Sequence, residues 1–241
     1  MDNSIYIVLS RQTALFRDLD VTSNNVANTT TTGFKGEKVL FTDYLLDDGN
    51  RNKMAFTNDI SSLRDTDQGR LQVTENPFDM AISGKGYFVV ETPLGNRYTR
   101  AGNFQLDAEG TLVTPDGYPV LDDAGQRIIL DPESREIVVR QDGVIQVDGE
   151  ELAVIGVAEF ENEQVMERLS SALYKSDVAP QAPTESKVLH GVLEQSNVQP
   201  VSEIVHLVDL GRSVASLTRF IDSQYDLQRR ASSILARQGS S

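Results

Sequence analysis

The sequence predicts an α+β protein. Two long helices, one at each end of the chain, pair in coiled-coil fashion, and an extended arm and a central all-β domain loop out between them. Three observations carry this reading. Residues 201–241 hold no proline and only Gly211 and Gly239, and Leu207, Leu210, Val214, Leu217, Ile221, Gln224, Gln228, Ala231 and Leu235 follow at steps of three and four. That is the spacing of a coiled-coil seam. Near the other end, Ile5, Val8, Leu15, Leu19, Thr22 and Val26 recur at helical spacing, with no glycine or proline before Gly33. In the middle, eleven of the seventeen glycines fall within residues 69–160, the punctuation of antiparallel strands and tight turns.

Taken in order, the first helix starts at a cap supplied by Asn3 or Ser4. Leu9 and Phe16 broaden its stripe. It runs for about 25 residues and ends near Asn24, Asn25 and Asn28, a residue type that tolerates the left-handed conformation found at helix C-termini. Residues 33–68 begin rich in Thr and Gly and then place Phe41, Tyr44, Leu45, Leu46 and Phe56 irregularly; they read as an extended connecting arm with room for a hairpin. Residues 69–165 are the central β domain. Turn pairs such as Asp116-Gly117, Asp142-Gly143 and Asp148-Gly149 separate short runs such as 87–90, 128–130, 137–139 and 144–147, and 152–160 reads as a buried strand. About 90 residues of this kind suffice for a core of their own. Residues 166–200, with Pro180, Pro183 and Pro200, read as a second extended arm, and Pro200 suits the start of a helix. The final helix, about 201–236, spans on the order of 54 Å at 1.5 Å per residue. Val201, Ile204, Val205 and Val208 read as a widening of its stripe. Thus residues 1–32 are expected to pack against residues 201–241, and helices of that length point to partners outside one chain.

The formal charge of −14 argues against nucleic acid, which needs a basic surface. Its placement says more. Residues 1–32 carry Arg11 and Arg17 against Asp2, Asp18 and Asp20; residues 201–241 carry Arg212, Arg219, Arg229, Arg230 and Arg237 against Glu203, Asp209, Asp222 and Asp226. The ends cancel, so the whole −14 lies in residues 33–200. Near-neutral ends suit packing against other chains, and an acidic middle suits solvent. The absence of cysteine removes disulfides and thiolate metal sites. No apolar run is long enough to cross a membrane, so direct membrane insertion is not expected. The opening MDNSIYIVLSRQ lacks the basic and apolar regions of a cleavable secretory signal.

The catalytic inventory is thin. His206 lies one position from the helical seam, and His190 precedes Gly191 as a solvent-facing loop residue; neither has a second ligand beside it for zinc. Ser83-Gly84-Lys85-Gly86 lacks the frame of a phosphate-binding loop and reads as a turn into the strand at Tyr87. A different class, a secreted carboxylate glycosidase or a carbohydrate-binding module on the β domain, needs two carboxylates in a cleft. Here the carboxylates sit beside turn glycines and the chain has no Trp. No enzyme, no cofactor and no metal site are expected.

One motif is specific. Asn25-Val26-Ala27-Asn28 followed by Thr32-Gly33-Phe34-Lys35 closes an amphipathic N-terminal helix; Gly69 to Thr74, Phe78 to Val90, Tyr98 to Phe104 and Asp107 to Val113 continue in order; Leu193-Glu194-Gln195-Ser196-Asn197-Val198 precedes the last helix. These blocks resemble the flagellar basal-body rod and hook proteins of bacteria. The opening is most similar to the proximal-rod type of member, with the distal-rod or hook type as the alternative. The resemblance implies a structural subunit with Ile5, Val8, Leu15, Leu19, Leu207, Leu210, Val214, Leu217, Ile221 and Leu235 in subunit packing, and a turn built by Asn25, Asn28, Gly33, Phe34 and Lys35. It implies copies of itself and other rod proteins as partners. It also implies passage through the flagellar export apparatus without a cleavable signal, and a place in the rod that crosses the periplasm.

Overall fold

The computed structural model describes residues 2–47, 53–131, 137–170, 172–184 and 186–238. The protein is α+β, and the chain divides into two units. The first comprises residues 1–26, 37–63 and 199–241, and the second residues 27–36 and 64–198.

The first unit holds the two helices, α1 (Asp2–Ala27) and α2 (Pro200–Gln238), and the paired strands β1 (Glu37–Asp47) and β2 (Lys53–Arg64). The inward side of α1 is made by Ala14, Thr22 and Asn25, all buried. Asn25 ties the helix end to the first strand: its Nδ2 donates to the Glu37 carbonyl at 2.8 Å, and its Oδ1 accepts from the Glu37 N–H at 3.0 Å. The same Nδ2 lies 3.4 Å from Glu203 Oε2, and Asp18 Oδ1 lies 3.4 Å from His206 Nε2. Of the expected seam on α2, Leu210 is buried and Leu207, Val214, Leu217 and Ile221 are half-buried. Val8, Leu15 and Leu19 are half-buried on α1, while the side chains of Ile5 and Leu235 lie outside the described ones.

Val201, Ile204, Val205 and Val208 do not widen that seam. At 3.6 residues per turn they stand roughly 120–180° round the helix from Leu210, and they are exposed, Val201 at 77%. They form a second apolar face on the opposite side of α2. Leu9 and Phe16 are likewise exposed on α1.

The second unit is built from antiparallel strands. β5 (Tyr87–Thr92) and β6 (Gly95–Thr99) lie inside a five-stranded sheet of order β12-β5-β6-β14-β13, where β12 is Val157–Ala158, β13 Glu167–Arg168 and β14 Leu173–Lys175. β7 (Gln105–Leu106) pairs with β8 (Leu112–Val113), and β9 (Ile137–Val139), β10 (Val144–Val147) and β11 (Glu150–Val154) form a further sheet. Its β10–β11 hairpin closes through Asp148-Gly149, both at positive φ, as a two-residue turn requires. The alternation of β5 sorts two cores. Phe88 and Val90 enter one with Met80, Leu112 and Ile145, and Tyr87 enters the other with Phe160, Met166 and Tyr174.

Three expectations are corrected here. Residues 166–200 are not simply an arm: β14 pairs with β6, β15 (Lys187–His190) with β4 (Met80–Ser83), and β16 (Val192–Glu194) with β3 (Leu71–Val73). Prolines 180 and 183 lie between β14 and β15 rather than within a strand, so β15 and β16 are free to complete edges of the β unit. Residues 152–160 are not one buried strand. The strand is interrupted at Ile155-Gly156, between Glu150–Val154 and Val157–Ala158, where the Gly156 N–H binds the Leu121 carbonyl, and Leu152 is 52% exposed. The left-handed residue after α1 is Gly33, not an asparagine: among the described residues other than glycine, only Glu75 and Asp148 have positive φ.

Candidate functional site

The two motifs that flank the terminal helices in sequence meet inside the second unit. After α1 the chain makes a turn in which the Thr31 N–H donates to the Asn28 carbonyl, and the Thr31 hydroxyl to Asn28 Oδ1. Gly33 follows at φ +68°, where a Cβ would stand 2.4 Å from the Arg100 carbonyl carbon. Its N–H donates to the Glu194 carbonyl at 2.7 Å. Phe34 and Lys35 are fully buried. The Arg168 guanidinium lies 4.5 Å from the centre of the Phe34 ring and donates to the Lys35 carbonyl.

At the centre stands a buried ion pair. Lys35 Nζ is 2.6 Å from Glu194 Oε1 and also donates to the Asp67 carbonyl at 2.8 Å. The same Oε1 accepts the Gly69 N–H at 2.9 Å, and Oε2 lies 3.4 Å from Arg100 Nη1. Arg100 is further held by the carbonyls of Ile82 and Gly84. Asn197 closes the rim: its Oδ1 accepts from the Gly36 N–H, and its Nδ2 donates to the carbonyls of Asp65 and Asp67. Burial pushes the Lys35 ammonium below the ordinary lysine range, while Glu194 pulls it back up. This is the balance expected of a cation taken out of water beside a carboxylate.

A second polar layer adjoins the aromatic core. Arg64 donates to the carbonyls of Glu163 and Met166 and stacks 4.4 Å from the Tyr174 ring centre. The Tyr87 hydroxyl donates to Glu163 Oε2 at 2.6 Å. Burial, first, and the Glu163 carboxylate, second, push its pKa well above the ordinary tyrosine range.

These groups bond to one another and to backbone, an arrangement suited to holding chain segments rather than turning over a substrate. His190, read as a loop residue, ends β15 half-buried, with Nε2 2.9 Å from the Pro77 carbonyl. A cleft of about 310 Å³ lined by Glu91, Tyr118, Pro119 and Arg127 contains none of the hub residues. Among the described residues no group of three His, Asp or Glu is placed to hold a metal, and no helix is long and apolar enough to cross a membrane. The family resemblance brought Gly33, Phe34 and Lys35 forward as a turn but not Arg64, Arg168 or the pairing of Lys35 with Glu194. The available signal was a lone carboxylate, Glu194, following the apolar Val192 and Leu193.

Comparison with known proteins decides the lineage. Residues 5–35 match the family model described as flagella basal body rod protein, residues 81–147 that of the flagellar hook protein FlgE/F/G D1 domain, and residues 189–234 that of the flagellar basal body rod FlgEFG protein C-terminal. The chain is 37% identical over 238 residues to the flagellar basal-body rod protein FlgF of Caulobacter vibrioides, covering 96% of this chain and 97% of that one. The chain belongs to the flagellar basal-body rod family. It is a structural rod protein of the basal body and most like FlgF: the FlgF of Mesorhizobium japonicum is 33% identical over 94% of this chain and 96% of the relative. FlgG of Bacillus subtilis is 31% identical over 94% and 97%.

Proposed function

We propose that this rod protein is a proximal-rod subunit that assembles through α1 and α2, with copies of itself and other rod proteins covering the helical faces that one chain leaves open. The observation that carries the reading is the exposure of apolar side chains along α2: Val201, Val205, Phe220, Tyr225 and Leu227 are all about half exposed or more. Burying one large apolar side chain contributes about 1.5–3 kcal/mol, and packing supplies most of a helix's stability in a folded protein. The coiled-coil pairing of the terminal helices, with the expected seam residues at its centre, is the form this assembly takes. The chain reaches the periplasm through the flagellar export apparatus and serves there as part of the drive shaft for motility. The turn from Asn25 to Lys35 serves to set the course of the chain between helix and β unit.

The test is complementation of a strain lacking the gene. Leu217 is half-buried in the seam, so Leu217→Asp places a charge there. The expected outcome is a secreted, folded protein absent from purified basal bodies, and a non-motile strain. Full incorporation of Leu217→Asp refutes assembly through this seam.

A further inference from the structure

The chain passes between its two units four times, after residues 26, 36, 63 and 198. Inside the second unit, the ends of these connections are bonded together. Gly33 N–H, seven residues beyond the first crossing, is held by the Glu194 carbonyl; Gly36, at the second, donates to Asn197 Oδ1 and accepts from the Asp65 N–H. Asp65, just past the third, and Asn197, just before the fourth, are joined through the Asn197 Nδ2 and the Asp65 carbonyl at 2.9 Å. Glu194 lies at the middle of this hub, with one oxygen on Lys35 and the Gly69 N–H and the other facing Arg100.

We propose that Glu194, through its buried pair with Lys35 and its contact with Arg100, is a positioning residue for assembly: it holds the second-unit ends of all four connections in a single arrangement. The proposal rests on the reading of the protein as an assembling rod subunit. The physical argument is one of direction against strength. Lys35 and Glu194 side chains are each 1% exposed, and removing two charges from water offsets most of their attraction, so a buried pair is a poor source of stability. Apolar groups of similar volume hold a core as well, but their attraction is non-directional. A carboxylate that accepts Lys35 Nζ and the Gly69 N–H on one oxygen fixes where the turn and the 64–70 segment stand relative to β16.

The experiment compares two full-length variants in a strain that lacks the gene. Glu194→Gln alone leaves Lys35 buried without its counter-charge. Lys35→Met combined with Glu194→Gln removes the charges of the pair, so the hub's net charge stays as in the wild type, and keeps an amide oxygen for the Gly69 N–H; Arg100 retains the carbonyls of Ile82 and Gly84, and the Asp67 carbonyl its bond from Asn197. The single variant is expected to lower the melting midpoint and to speed amide exchange at residues 33–36 and 69–71 by at least ~10-fold. The double variant is expected to melt near the wild-type midpoint, keep that faster local exchange and still fail to enter the rod. Normal swimming of the double variant, or a melting midpoint as low as that of the single, overturns the proposal by assigning the pair to stability alone. Normal swimming of the strain without any copy refutes the rod reading itself, so the two failures are told apart.

Discussion

Tyr87 and Lys35 both shape the β unit's response to alkali, and they act with opposite sign. The Tyr87 hydroxyl is buried and bonded to Glu163, so its pKa is raised in the folded protein. Unfolded tyrosine loses its proton near pH 10. Above that pH the folded chain holds a proton that the unfolded chain has released, and stability falls as pH rises. The pKa of Lys35 is lowered in the fold. Between that lowered value and the unfolded value near 10.4, the unfolded chain binds the extra proton, so this group's cost is relieved as pH rises. Denaturant midpoints measured from pH 8 to 11 should therefore rise and then turn down near pH 10. Tyr87→Phe should flatten the falling limb and Lys35→Met the rising one. A falling limb unchanged in Tyr87→Phe places its origin elsewhere. Gly33 gives a second test. Alanine there pays about 1–2 kcal/mol for the left-handed backbone and also meets Arg100. Gly117, at φ +83° with nothing within 4 Å of a Cβ, pays only the first cost. Gly33→Ala should destabilise the full chain more than Gly117→Ala in urea unfolding. The resemblance blocks contained both Lys35 and Glu194, yet the two are 159 positions apart. No periodicity or local spacing links residues so distant, so the hub itself was not legible.

At the scale of elements, sequence reading succeeded where the period is long and the turns are marked. The 26 residues of α1 and the 39 of α2 carry enough turns for a 3.6-residue pattern to stand out, and the Asp148-Gly149 hairpin follows from its turn chemistry. It failed for β14, β15 and β16, which have three, four and three residues; strands so short carry no readable alternation, and nearby prolines pointed to open chain. It also failed to assign Val201 and Val205 to the face opposite the seam, because counting apolar residues without their angle merges two stripes. The consequence is experimental. A fragment of residues 69–165 lacks the partners of β3 and β4, one of the two partners of β6, and the Val188 and Tyr174 side chains of the two cores. It should show no cooperative thermal transition, whereas residues 27–198 should. A sharp transition in the shorter fragment would show that the last three strands only decorate the unit.

For the whole molecule, charge and apolar exposure divide the labour. Residues 27–36 and 64–198, the second unit, hold 24 acidic against 12 basic residues, −12 of the total −14, and four of those basic residues, Lys35, Arg64, Arg100 and Arg168, are directed into the hub and the aromatic core. The β unit thus presents an acidic exterior, which favours solvent over association. The helical unit is close to neutral and exposes apolar side chains on both helices. Such a chain has one surface suited to remaining in water and another on which apolar side chains stand exposed. The central claim is that α2 finds its remaining partners in adjacent subunits. Hydrogen exchange along residues 211–230 tests it most directly, compared between purified monomer and protein within isolated basal bodies. The account predicts exchange in the monomer close to that of an isolated helix and strong protection after assembly. Strong protection in the monomer, unchanged on assembly, would contradict it, because the helix would already be complete within a single chain.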